Sequence, residues 1–263
     1  MTSSLERLLI LLTATFTLTG CGLRHVVIPN LDWLVTRELN KTMNHSGETK
    51  DQLRKDIAKL LEQTKPQAKR VHEQLKTLSL KNANVFAESE ALSKEYDIFI
   101  VKFAPILAKY MAKMDAKQIE AFKEYNKEKN KGIMDSLKTP GKKLIERYER
   151  FLGDLTEEQK KLLTWNLQPF VQITQQRLDR RLQYQKSIYK ILENPDQAHR
   201  QREIEKLTLT YNRAYRGNPL RKKNQYLMIE VLKLSTPEQH EHFKETIADA
   251  LPWLESFMAE DFT

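Results

Sequence analysis

Cys21 is the residue whose type and position point most clearly to chemistry in this sequence. It is the only cysteine among 263 residues, and the small residues Thr19 and Gly20 precede it directly. Before them lies the uncharged run from Leu8 to Leu18, with Arg7 at its start. Such a run is typical of a secretory signal and is too short to span a bilayer as a helix. We therefore expect the first twenty residues to be a signal rather than part of the fold.

The residues Leu18-Thr19-Gly20-Cys21 resemble the lipobox of bacterial lipoprotein precursors. This resemblance implies cleavage before Cys21, attachment of diacylglycerol to its sulfur and acylation of the new amine, so that acyl chains hold the mature protein to a membrane. Gly22 stands where an aspartate commonly retains such proteins at the inner membrane, which favours the outer membrane, facing the periplasm. The alternatives are an ordinary secretory signal with a chance cysteine and a short N-terminal anchor.

No other group of residues predicts catalysis or metal binding. His240, Glu241 and His242 come nearest to a ligand cluster, but residues two apart on a helix point in different directions. The sequence has neither a P-loop nor a G-x-S-x-G motif. Its carboxylates stand among Lys and Arg at helical spacing, which is typical of a solvated surface. We therefore expect no cofactor, no metal and no enzymatic activity; an enzyme with a dispersed site is the least favoured alternative.

Four short motifs pair a Thr or an Asp with a Gln three residues later. In such a pair the first side chain accepts a hydrogen bond from a free N–H at the helix start, and the Gln reaches back to the N–H of the capping residue. Each motif therefore predicts a capping box that starts a helix. The four boxes are Thr49/Gln52, Asp115/Gln118, Thr156/Gln159 and Thr236/Gln239.

These boxes, with the lipobox and Asp32-Trp33-Leu34, resemble a family of bacterial lipoproteins of unknown function in which LTPEQ-type boxes open several long, Arg-rich helices. The stretch 153–185, which contains LTEEQ, carries the resemblance best. More distantly, the boxes are similar to those of Spy-type periplasmic chaperones, which are helical, often basic, and hold unfolded clients without ATP. The resemblance implies a non-enzymatic, chaperone-like protein of the envelope that binds periplasmic clients.

Basic residues outnumber acidic ones, which gives a formal net charge of +9 and an isoelectric point near 9.4. In a cytosolic protein, such an excess of positive charge would favour nucleic acid as a partner. A location in the envelope argues against that partner. The alternative function is therefore binding of anionic envelope lipids or polymers through a basic helical surface, and a merely solubilising surface is the plainer interpretation. The candidate anion-binding residues are Arg177, Arg180, Arg181, Arg213, Arg216, Arg221, Lys222 and Lys223.

The remainder of the chain predicts helices throughout. Good helix formers dominate, only 7 Gly and 9 Pro occur, and residues 85–114 place apolar side chains at three- and four-residue steps. No segment sustains the alternation of apolar and polar residues that a strand would show. We expect an all-α, elongated multi-helix bundle of long helices, some of them kinked by a proline such as Pro66 or Pro105.

Breaks in the helical pattern divide the chain into segments. We expect a signal peptide over 1–20, a lipidated segment with a short helix over 21–47 and a helical domain over 48–263, which could divide near 138–153. The helices expected in this domain are 49–78, 85–114, 116–137, 140–152, 156–192, 197–215, 219–234 and 237–258. Three tryptophans stand among apolar neighbours and are expected to pack in the core: Trp33, Trp165 and Trp253.

Overall fold

The computed structural model describes residues 21–80, 84–214 and 219–262, and at 21, 22, 136 and 212–214 it describes the backbone alone. All regular elements in these ranges are helices, which confirms the predicted all-α, multi-helix bundle. The expected signal peptide, 1–20, lies outside the described residues.

The helices follow one another with short connections, and a 3-10 turn at Ile28–Asn30 joins the first two. In chain order they are α1 (Cys21–Val27), α2 (Leu31–Met43), α3 (Gly47–Thr77), α4 (Val85–Ala112), α5 (Ala116–Ser136), α6 (Pro140–Leu152), α7 (Glu157–Trp165), α8 (Leu167–Leu192), α9 (Gln197–Ala214), α10 (Pro219–Lys233) and α11 (Pro237–Ala259).

The single helix expected over 156–192 is wrong, because the chain breaks between α7 and α8. Asn166 ends α7, and its side-chain amide donates to the Leu162 carbonyl at 2.9 Å. Pro169 lies in the first turn of α8, where its missing N–H does no harm, but its ring cannot sit beside the carbonyl of Trp165 in one continuous helix. Pro66 and Pro105, by contrast, do not end their helices, since α3 and α4 continue through them.

Two apolar clusters form the core. The larger one has Ile57, Phe103 and Ile188 fully buried, and these residues come from α3, α4 and α8. Each such side chain contributes about 1.5–3 kcal/mol of burial free energy. The smaller cluster joins α6, α7 and α10 around Leu163 and Val231. Helix α11 packs on both α3 and α6, so the two clusters are connected, while the division near 138–153 stays a prediction.

Three of the four predicted capping boxes are present with both hydrogen bonds. Asp115 accepts the Gln118 N–H at 2.8 Å, and Gln118 Oε1 accepts the Asp115 N–H at 2.9 Å. The same reciprocal pair starts α7 at Thr156 and Gln159, and α11 at Thr236 and Gln239. Each box therefore provides acceptors for two backbone N–H groups that a helix start leaves without partners.

The fourth predicted box, Thr49 and Gln52, is wrong. Helix α3 begins two residues earlier, at Gly47, and Ser46 takes the N-cap position without a side-chain hydrogen bond. Thr49 therefore already lies inside the first turn, where it cannot act as a cap. Gln52 instead donates along the helix to Asp56 Oδ1 at 3.1 Å.

The glutamines of two boxes also bind each other. The Nε2 atom of Gln159 donates to Gln239 Oε1, and Gln239 Nε2 donates to Gln159 Oε1, both at 2.9 Å. Both residues are buried. Gln159 Nε2 further contacts the carbonyls of Val231 and Leu234 at the end of α10, and Gln239 Nε2 donates to the Asp154 carbonyl. The two helix starts are thus joined to each other and to the ends of their neighbours.

The third box makes an equivalent contact with α2. Gln118 Nε2 donates to the carbonyl of Asn44, the residue that ends α2, at 2.8 Å, and lies 3.3 Å from His45 Nδ1. The other ring nitrogen of His45 lies 2.9 Å from the Tyr110 carbonyl. Burial lowers the pKa of His45, although its hydrogen bond to Tyr110 opposes this effect, and nearby Lys113 lowers the pKa further. A neutral ring with its proton on Nε2 satisfies both contacts.

We expect the Gln159–Gln239 pair to be a coupled stabilising contact. Gln159→Ala removes a capping acceptor and leaves buried partners without a hydrogen bond, so it should lower the free energy of unfolding by about 2–3 kcal/mol. Because Gln239→Ala breaks the same contact, the double variant should be less destabilised than the sum of the single variants, by about 1 kcal/mol. Urea denaturation measures these differences.

Gln52→Ala is the matched control, because Gln52 is exposed and belongs to no capping box. Its effect should stay within about 0.5 kcal/mol. Strictly additive losses at Gln159 and Gln239 would contradict the coupling between the two boxes.

Candidate functional site

Arg181 corrects the predicted basic surface, because its side chain is only 1% exposed. It lies on the same side of α8 as the buried residues Leu178, Tyr184 and Ile188, at the three-, three- and seven-residue spacings of one helix face. The expectation that Arg181 forms an anion-binding surface with Arg177 and Arg180 is therefore wrong for this residue. The sequence pattern did not separate this buried position from its half-buried neighbours Arg177 and Arg180.

Neutral amides surround the buried guanidinium of Arg181. Its Nε donates to Asn130 Oδ1 at 2.7 Å, and its Nη2 donates to Asn126 Oδ1 at 3.1 Å. The Gln185 amide lies within hydrogen-bond distance of both asparagines. Burial removes the charged guanidinium from water and so lowers the pKa of Arg181. This cluster joins α5 to α8 and is a structural element rather than a surface site.

Two other predicted arginines contact neighbouring helices. Arg180 donates to the Tyr211 carbonyl at 2.9 Å and lies over the Tyr211 ring, 4.9 Å from its centroid. Arg221 donates to the hydroxyls of Ser89 and Ser93, at 3.0 and 2.6 Å, and so links α10 to α4. These side chains are therefore engaged within the protein.

The remaining members of the predicted set differ in their surroundings. Arg177 is half-buried, whereas Lys222 and Lys223 are exposed on α10. Arg216 and the side chain of Arg213 lie outside the described residues. The described residues thus do not support one continuous basic surface over 177–223.

The tryptophans divide between core and surface. Trp253 is 9% exposed and packs in the larger cluster, as expected. Trp165 is 81% exposed, so its expected packing in the core is wrong. It is the last residue of α7, where the helix breaks ahead of Pro169 and no neighbour covers the indole. Trp33, at 40% exposed, lies beside a surface cleft described below.

A shallow apolar groove lies where α3 ends and α4 begins, with a volume of about 240 Å³. Leu92 is 41% exposed at its edge. The Oε1 atom of Gln74 is buried in this region and accepts no hydrogen bond from the described residues. We call this feature the α3–α4 groove, and it is lined by Gln74, Leu75, Thr77, Leu78, Ala87, Glu88, Ala91 and Leu92.

A second depression, with a volume of about 380 Å³, lies between α2 and the first turns of α3. Its lining combines three cations, one carboxylate, an indole and a hydroxyl. We call it the α2–α3 cleft, and it is lined by Trp33, Thr36, Arg37, Lys50, Asp51 and Arg54.

Both depressions contain a polar group that sequence reasoning missed. In the α3–α4 groove it is the side-chain amide oxygen Oε1 of Gln74, and in the α2–α3 cleft it is the hydroxyl of Thr36. Thr36 carries a partial signal, because it is a polar residue on the buried side of a short amphipathic helix. Whether such a group finds a partner depends on tertiary contacts, which spacing along one helix does not reveal.

Within the described residues, no three or more His, Cys, Asp or Glu side chains are grouped so that they could hold a metal ion. None of the described helices combines the length and the apolar character needed to cross a membrane. No protein-family model, curated protein or solved structure matches this chain. Membership of the lipoprotein family therefore stays a prediction. The groove and the cleft are the features of the described structure that bear on function.

We expect Arg181→Glu to unfold the bundle rather than to report on anion binding. The substitution places a carboxylate among asparagine oxygens that now accept from a guanidinium, and should lower the free energy of unfolding by more than about 3 kcal/mol. Lys222→Glu makes the same charge change at an exposed position and should change it by less than about 0.5 kcal/mol. Chemical unfolding followed by circular dichroism compares the two variants; equal, small effects would place Arg181 at the surface.

Proposed function

We propose that this protein is a lipid-anchored component of the bacterial envelope that binds unfolded segments of periplasmic proteins without catalysis. The anchor is the acylated Cys21. It holds the protein to the outer membrane, on the side that faces the periplasm. Several acyl chains on one residue give a stable attachment, because each buried CH₂ contributes about 0.8 kcal/mol. Cys21 lies in α1, so helical backbone follows the anchor directly.

The α3–α4 groove is the observation that carries the binding proposal. Its walls are apolar, through residues such as Leu75, Leu78 and Leu92, and it holds one buried acceptor, Gln74 Oε1, without a donor. An extended segment of an unfolded chain supplies what both features need. Its apolar side chains cover the walls, and one of its backbone N–H groups donates to Gln74 Oε1.

Binding of anionic lipids or polymers through residues 177–223 is less well supported. Arg181 is buried, and Arg180 and Arg221 already bind groups of the protein itself. A nucleic-acid partner does not fit the proposed location. An enzymatic function is not part of the proposal.

We expect Cys21→Ser to release the protein from the membrane. The serine hydroxyl cannot form the thioether on which lipid attachment depends, so the variant should appear in the soluble fraction or accumulate as a precursor with its signal. Cell fractionation and the mass of the N-terminal peptide read out both results. Thr19→Ser, which keeps a small residue before Cys21, is the control and should stay membrane-bound. A Cys21→Ser protein that is still processed and membrane-bound would overturn the anchor.

Client binding is tested with the mature chain, residues 21–263, carrying Cys21→Ser. At near-equimolar ratio it should suppress the light scattering of a protein that aggregates on dilution from guanidinium chloride. Leu92→Asp places a charge in the groove, and about tenfold more of this variant should be needed, because a lost apolar contact and a desolvated charge together cost about 1–2 kcal/mol.

Ile98→Asp is the matched control, because Ile98 lies on the same helix, is 40% exposed and does not line the groove. It should protect the client as well as the parent chain does, and circular dichroism should show both variants folded. An absence of protection by the parent chain, or equal loss in both variants, would sink the client-binding proposal.

A further inference from the structure

The α2–α3 cleft brings together three cations, and in the described part of the chain two of them have no anionic partner. In the described part of the chain, Arg37 and Lys50 form neither a hydrogen bond nor an ion pair, and the Arg37 guanidinium lies 5.2 Å from the centroid of the Trp33 ring. Arg54 is paired with Asp32 at 2.5 Å, and Asp51 is the one carboxylate in the lining. Two cations in the cleft therefore remain available to an anion.

Thr36 provides an independent sign that the cleft takes a ligand. The residue is 2% exposed, it lines the cleft, and its hydroxyl makes no hydrogen bond to any residue that the structure describes. An unpartnered buried hydroxyl costs about 1–3 kcal/mol, which a ligand oxygen accepting its proton would recover. An arginine, a lysine and a hydroxyl are all donors, and the several oxygens of a phosphate can accept from all three at once.

The position of the cleft indicates where that phosphate comes from. Trp33 follows Cys21 by twelve residues of helical backbone, which span about 20 Å. On α1 itself, Leu23 and Val26 lie three residues apart on one face and are 43% and 62% exposed. Apolar side chains on an exposed helix face, followed by an exposed indole, are typical of a segment that lies in a membrane interface.

We infer that the α2–α3 cleft binds the phosphate of an anionic phospholipid headgroup in the leaflet that holds the acylated Cys21. Arg37 and Lys50 pair with the phosphate, the Thr36 hydroxyl donates to one of its oxygens, and the Trp33 ring lies at the headgroup level. The choice of a lipid phosphate over a soluble one rests on the proposed anchor. The cleft then adds a second, reversible attachment that fixes the orientation of the helical body on the membrane.

The test uses the mature chain with Cys21→Ser, so that no acyl chain contributes to binding. The chain should sediment with mixed phosphatidylglycerol–phosphatidylcholine vesicles and not with vesicles of phosphatidylcholine alone. The double variant Arg37→Glu/Lys50→Glu should bind the mixed vesicles at least about tenfold more weakly, because each basic residue near an anionic surface contributes about 1 kcal/mol. Thr36→Val, which keeps the shape and removes the donor, should weaken binding about fivefold.

Lys222→Glu/Lys223→Glu is the matched control, because it makes the same charge change at two exposed lysines away from the cleft. Its binding to mixed vesicles should stay within about twofold of the parent chain. An equal loss in both double variants would assign the binding to net charge and overturn the cleft. Urea midpoints of all variants verify that each is folded under the binding conditions.

Calorimetric titration with inorganic phosphate distinguishes the two sources of a phosphate group. We expect no heat of binding at micromolar phosphate. Tight binding of inorganic phosphate, or equal binding to both kinds of vesicle, would overturn the lipid headgroup as the ligand. The result of the vesicle and phosphate experiments does not depend on the other two proposals. Client binding is measured separately by light scattering, and the anchor by cell fractionation.

Discussion

The unpaired polar groups at helix ends are the constraint on which this bundle depends. Each helix leaves N–H groups free at its start and carbonyls free at its end, and short connections bring many of these groups into contact with other helices. In Gln118, Gln159 and Gln239, one side-chain amide pairs with both kinds of group. The oxygen accepts the N–H of the helix's own cap, and the nitrogen donates to a carbonyl of another segment. The motif that starts a helix therefore also fixes where that helix lies.

The same requirement explains why a strongly basic chain does not present its arginines as one surface. Arg181 is held in the core by Asn126 and Asn130, and Arg180 and Arg221 bind groups on neighbouring helices. A guanidinium carries several donors in a fixed plane, so it can satisfy carbonyls, amides and hydroxyls between helices. The positive charges that stay available for a partner are then a selected subset, set by packing rather than by local sequence density.

The two proposed ligand sites each contain a place where this internal pairing stops. In the described part of the chain, Gln74 Oε1 in the groove and the Thr36 hydroxyl in the cleft are buried atoms without a hydrogen-bond partner. Both depressions involve α3, one at its start and the other at its end. Lys50 and Gln74 are separated by 24 residues of that helix, which corresponds to about 36 Å. The cleft and the groove are therefore separate features at the two ends of one helix.

The sequence by itself determined the helical class, most helix starts and the three capping boxes, because these depend on interactions within three or four residues. It also placed Cys21 in a lipobox, which remains a prediction. Tertiary structure decided what local patterns could not. It moved the start of α3 ahead of Thr49, buried Arg181, exposed Trp165 and left Gln74 and Thr36 unpartnered. Each outcome depends on which other helix lies alongside, and that contact is between residues far apart in the chain.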